Sequence, residues 1–164
     1  MRFDKIAFSP GLIRARWDFG KLPSEELPTL AQDALEHGYD GKFTRQIAGL
    51  LKPHWSELRL LVPRFLAELG SSTPLNKAEA GIQVARFVTK AIVEGSIEPY
   101  EGARYIWREI VSELWHETPQ ELLCFLGNAS EYEDCHFYSD HPEDVRRTIE
   151  QAIIEDAKSL ASGL

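Results

Sequence analysis

Residues 99–114 read Pro-Tyr-Glu-Gly-Ala-Arg-Tyr-Ile-Trp-Arg-Glu-Ile-Val-Ser-Glu-Leu. Ala103, Ile106, Trp107, Ile110, Val111 and Leu114 recur there at the three- and four-residue spacing of one helix face. An apolar face this wide has to be covered by other elements, and Pro99 supplies a first-turn residue with its φ already set for a helix. The stretch therefore predicts a central helix in a mainly α fold.

The neighbouring sequence extends the pattern. On the C-terminal side, Thr118-Pro119-Gln120-Glu121 reads as a capping box with proline at the first helical position, opening a helix that continues to about residue 132. A last helix spans about 142–160, with Val145, Ile149, Ile153, Ala157 and Leu160 inward. On the N-terminal side, helices are predicted over about 28–37, 42–52, 54–69 and 76–94, each stopped by a glycine or a proline. Pro63 falls inside the third of these, where it should kink the helix or break it in two. About seven helices with short connections imply antiparallel neighbours, hence a multi-helix bundle or a stack of αα-hairpins. No period near 40 residues supports a solenoid.

Residues 1–22 read differently. Ile13, Ala15, Trp17 and Phe19 alternate with Arg14, Arg16 and Asp18, the period of a strand with one buried face. Ser9-Pro10-Gly11 reads as a turn before it, so a short N-terminal strand or hairpin is predicted, with an extended arm as the alternative. The chain of 164 residues is expected to form a single domain, 1–164, helical from residue 23 onward.

Composition narrows the function classes. A formal net charge of −8 argues against duplex DNA, whose affinity comes largely from Lys and Arg on phosphates. No segment approaches the roughly 20 apolar residues of a membrane span, and no signal-peptide pattern opens the chain, so a cytoplasmic protein without a membrane partner is expected. Two cysteines give no disulfide framework. No G-x-S-x-G, phosphate loop, H-E-x-x-H or EF-hand loop is present, and no cofactor or catalytic residue is assigned.

The charge is uneven. Residues 1–70 carry a net +1 and residues 71–164 a net −9. Within the acidic half, residues 131–144 hold Glu131, Glu133, Asp134, Asp140, Glu143 and Asp144 with no Lys or Arg. A charge run is ordinarily a solvated face. Here Tyr132, Phe137 and Tyr138 interleave with the carboxylates, and aromatic anchors beside complementary charge characterise recognition surfaces. These nine residues form the candidate partner surface, and its partner is expected to be a protein with a basic surface. A contrasting basic strip comprises Lys42, Arg45, Lys52, Arg59 and Arg64, with Glu57 alone against it.

Cys135, His136 and His141 offer metal donor types, but adjacent Cys135 and His136 do not follow a recognised zinc spacing, and no metal is assigned. Glu113 with His116 and Glu133 with His136 repeat the Glu-x-x-His spacing of di-iron bundles. They fall at the ends of consecutive antiparallel helices, about 20 Å apart at 1.5 Å per residue, too far to share a metal.

Residues 33–53 (DALEHGYDGKFTRQIAGLLKP) and 91–107 (AIVEGSIEPYEGARYIW) resemble a family of small uncharacterised bacterial cytoplasmic helical proteins. The resemblance implies a helical cytoplasmic protein and carries no activity. In size and charge such proteins are similar to toxin immunity proteins. The function expected is thus a protein-binding module, of the immunity type, that neutralises a basic partner. The alternative is a small helical enzyme, metal-dependent or not, with no recognisable motif.

Overall fold

The computed structural model describes residues 3, 6–137 and 140–162, the side chain of His136 excepted. The protein is mainly helical, 76%, and no strand occurs among the described residues. The helices are α1 (Pro10–Phe19), α2 (Leu27–Glu36), α3 (Lys42–Ala48), α4 (Trp55–Glu68), α5 (Lys77–Val93), α6 (Pro99–Tyr105), a π segment (Ile106–Val111), α7 (Ser112–Leu114), α8 (Gln120–Asp134) and α9 (Pro142–Ala161). The chain groups into two compact units, residues 8–80 and residues 1–7 with 81–164.

The first correction concerns the N-terminus, where the expected strand or hairpin is a helix. Ser9 is extended and its Oγ accepts from the Leu12 N–H, so Ser9-Pro10 is a helix cap followed by proline in the first turn rather than a hairpin turn. Gly20 ends α1 in the left-handed region, φ +78°, and the Lys21 N–H closes the turn onto the Arg16 carbonyl. The alternation misled because it placed Arg14 and Arg16 on a solvent face. Both are buried. Arg14 donates from Nε and Nη2 to the Ser71 carbonyl at 3.1 and 2.6 Å and pairs with Asp18 at 3.2 Å. Asp18 in turn accepts from the Leu75 N–H at 2.8 Å. Arg16 reaches Glu26 at 2.7 Å. Two buried arginines, each with an acidic partner, thus stand in a helix where a polarity pattern alone reads them as exposed.

In the unit of residues 8–80, α2 packs on α3 and α3 on α4. Leu27, Ile47, Leu58, Phe65 and Leu66 fill its core. Pro63 does not break α4, which runs unbroken through it with the proline on the exposed side. α3 stops at Ala48, four residues short of the expected end, because Gly49 takes the C-cap. Its N-terminus has no side-chain cap of its own, since Gly41 occupies that position. Glu68 of α4 replaces it, accepting from the Phe43 and Thr44 N–H groups at 3.0 and 2.8 Å and from Thr44 Oγ1 at 2.9 Å. A Cβ on residue 41 would fall on the Glu68 carboxylate, so glycine is needed there for space.

In the other unit, α8 packs on α6, on the π segment and on α9. Ile106, Ile110, Leu122, Phe125 and Ile153 are fully or almost fully buried, which places residues 99–114 centrally as expected. Gly102 lets α6 approach α5, because a Cβ there would meet Ile92 Cδ1 at 2.5 Å. The expected capping box at residues 118–121 is absent. Thr118 Oγ1 donates to the Val111 carbonyl at 3.2 Å instead. A reciprocal box stands instead in the unit of residues 8–80, before α5, where the Asn76 N–H donates to Glu79 and the Glu79 N–H to Asn76, at 3.0 and 2.9 Å.

Candidate functional site

Residues 131–144 comprise the last turn of α8, the 3-10 turn Cys135–Phe137 and the start of α9. On α8 successive side chains turn by about 100°, so Tyr132 and Glu133 share the side of buried Ala129 while Glu131 and Asp134 point away from it. The contacts follow that division.

Tyr132 is half-buried, stacked on Tyr100 of α6 with ring centroids 4.1 Å apart and planes at 14°. Its hydroxyl donates to Glu150 at 3.2 Å, and the Arg146 guanidinium lies 5.4 Å from the ring centroid. Glu133 accepts from the Tyr100 hydroxyl at 2.8 Å and pairs with Arg108 of the π segment at 2.9 Å and with Arg104 at 3.5 Å. Burial first, and then the neighbouring Glu133 carboxylate, pushes the Tyr100 hydroxyl above the ordinary tyrosine range. Burial and Glu150 do the same for Tyr132. Sequence reading missed Tyr100, Arg104, Arg108 and Glu150. They lie 18 to 33 positions from their partners, and no local spacing signals them.

The outward half is different. Glu131, Asp134 and Asp140 are exposed, and Phe137 is 76% exposed. Glu143 and Asp144, in the first turn of α9, pair with Arg146 and Arg147 at 2.7 and 3.5 Å. Tyr138 lies outside the described residues. Of the three metal-donor candidates, Cys135 is fully buried with its thiol donating to the Tyr132 carbonyl at 3.3 Å, His141 is exposed, and the side chain of His136 is not described. Among the described residues no group of three or more His, Cys, Asp or Glu could hold a metal ion.

An open cleft of about 460 Å³ lies elsewhere in this unit, lined by Arg86, Gln120, Cys124, Asp156, Ser159 and Ser162 among others. Burial, followed by the charge of Asp156, pushes the Cys124 thiol up to about 11. A thiol held protonated at neutral pH is a poor nucleophile, and Asp156 is engaged by Asn128 Nδ2 at 2.8 Å. Cys124 is therefore not an activated nucleophile.

No helix of the described residues is long and apolar enough to cross a membrane. No protein-family model, curated protein or solved structure matches the chain.

Proposed function

We propose that the chain is a protein-binding module whose residues 131–144 present an acidic surface to a basic protein, in the manner of an immunity protein. The observation that carries the reading is Phe137, a large apolar side chain left 76% exposed between the exposed carboxylates of Glu131, Asp134 and Asp140. An exposed aromatic close in sequence to exposed carboxylates joins an apolar anchor to long-range steering of an oppositely charged partner. Glu133 and Tyr132 have a different part in it. Tied to Arg104, Arg108, Tyr100 and Glu150, they fix the end of α8 and so the direction of the outward carboxylates. A cytoplasmic setting, and kinship with the small bacterial proteins that residues 33–53 and 91–107 resemble, belong to the same proposal.

The test is capture of the product of the adjacent gene, followed by association kinetics at two ionic strengths. Charge reversal at Glu131, Asp134 and Asp140 is expected to slow association at least tenfold at low salt, with the difference shrinking as salt screens the field. Replacing Phe137 with Ala should mainly quicken dissociation. Binding that ignores both salt and charge reversal would refute the acidic-surface reading.

A further inference from the structure

A second surface, on α4, has the complementary chemistry. Trp55 and Leu60 of that helix are 55% and 72% exposed, and Leu51, just before it, is 97% exposed. Lys52, Arg59 and Arg64 are exposed around them, with Glu57 the one acidic residue of residues 51–64. Among the described residues, three of the seven large apolar side chains that stand exposed thus fall within ten positions, interspersed with cations. Isolated exposed leucines are ordinary, whereas a cluster with tryptophan and arginine has the composition of an interface centre.

We propose that this face of α4 docks the acidic segment of a second copy of the chain. The inference rests on the reading of residues 131–144 as a recognition surface and names its partner as the same protein. Each patch has an exposed apolar side chain, Leu60 on one and Phe137 on the other, and the charged residues near each in sequence are opposite in sign. An α4-to-α4 contact would set Lys52, Arg59 and Arg64 against their own copies. A contact between α4 of one copy and the acidic segment of the next removes that conflict. Where two copies dock both patches on each other the contact closes a dimer, and otherwise assembly grows into a ring or an open chain. At about 0.1 M salt the screening length is ~10 Å, which mutes repulsion between whole molecules of charge −8 but not attraction between patches in contact. At 1 M the length is ~3 Å, and the attraction is lost as well.

Sedimentation of the full chain from 1 to 200 μM at 0.1 and 1 M salt tests the proposal. The expected result is a mass that exceeds one chain and grows with concentration at 0.1 M, and returns to one chain at 1 M. Two variants dissect the contact: Arg59→Gln/Leu60→Gln/Arg64→Gln keeps only the acidic patch, and Glu131→Gln/Asp134→Asn/Asp140→Asn keeps only the α4 patch. Each alone should weaken association at least tenfold with unchanged circular dichroism. Mixed in equal amounts, they should restore a species of two chains that grows no further. A wild type that stays a single chain, an association that strengthens with salt, or a mixture that stays monomeric would overturn the inference. So would a single-chain protein that binds vesicles of phosphatidylserine and phosphatidylcholine through α4, since that assigns the face to lipid. A single-chain protein that still captures the adjacent gene product, and loses it in the carboxylate variant, would remove the self-docking inference while leaving the acidic-surface reading in place.

Discussion

Replacing Glu68 with Gln removes a negative charge from the start of α3 with almost no change in shape. The Glu68 carboxylate accepts three hydrogen bonds, from the Phe43 N–H, the Thr44 N–H and Thr44 Oγ1. Both N–H groups belong to the first turn of α3, which has no side-chain cap of its own. A side-chain cap contributes about 1 kcal/mol, and a hydrogen bond to a charged acceptor roughly 1.5–3 kcal/mol against about 1 for a neutral pair. Glutamine retains one acceptor oxygen and turns an NH₂ toward donors that it cannot satisfy. The expected loss is about 2 kcal/mol at pH 7, a fall in Tm of roughly 4–8 °C for a chain of this size.

The effect carries a pH signature. Burial raises the Glu68 pKa, but the hydrogen bonds from Phe43, Thr44 and Lys42 outweigh it, and the carboxyl is held below its ordinary value. A depressed pKa means that the stabilisation is present above the unfolded-state value, near 4.3, and lost as pH falls through the lower folded-state value. Urea titrations of wild type and Glu68→Gln should therefore differ most near pH 7 and draw together as the solution is acidified below the ordinary glutamate range. Equal stability at pH 7, or a gap that does not narrow on acidification, would refute the capping argument.

Three further outcomes follow from the packing. Gly41→Ala should cost about 1–2 kcal/mol by displacing the Glu68 carboxylate, and adding it to Glu68→Gln should cost little more, because both remove the same cap; a double-mutant cycle in urea reads this coupling. Arg14→Met should destabilise by about 3 kcal/mol, since it leaves Asp18 buried without its cation, and Arg14→Met/Asp18→Asn should recover part of that loss in the same assay. Trp115 has φ +47° and is 72% exposed, so Trp115→Gly should relieve strain and, after the larger backbone entropy of glycine in the unfolded chain, leave a net gain of about 1 kcal/mol by thermal melting.

Helices were legible wherever an apolar stripe of period 3.6 carried them. The expected spans at 28–37, 54–69, 76–94 and 142–160 differ from α2, α4, α5 and α9 by at most one residue at either end. Where polarity and burial part company, the pattern failed. α1 buries two arginines, which pair with Asp18 within the helix and with the Ser71 carbonyl and Glu26 beyond it, the last two at positions that no window on residues 12–19 contains. Capping failed for a related reason. Thr118 had the right neighbours for a box but found the Val111 carbonyl, whereas α3 took its cap from Glu68, 24 residues on in a different helix.

The acidic segment shows the same division within a single turn of helix. As sequence, Glu131, Tyr132, Glu133 and Asp134 are three equivalent carboxylates around an aromatic. Placed on α8, they separate by angle. Glu133 and Tyr132 turn toward Tyr100, Arg104 and Arg108, whereas Glu131 and Asp134 turn to solvent. Angle alone does not determine this, because the face of α8 that is inward depends on where α6 lies. The arginines of α6 and the π segment make a buried-side glutamate tolerable at residue 133, since two guanidinium groups and a phenol supply its carboxylate with hydrogen-bond partners. The negative charge available to a partner is correspondingly smaller than the count of six. Glu133 is neutralised from within, and Glu143 and Asp144 are each offset by an arginine one turn along α9. Glu131, Asp134 and Asp140 therefore carry the outward field, and they, rather than the whole run, are the residues whose reversal should govern the association rate.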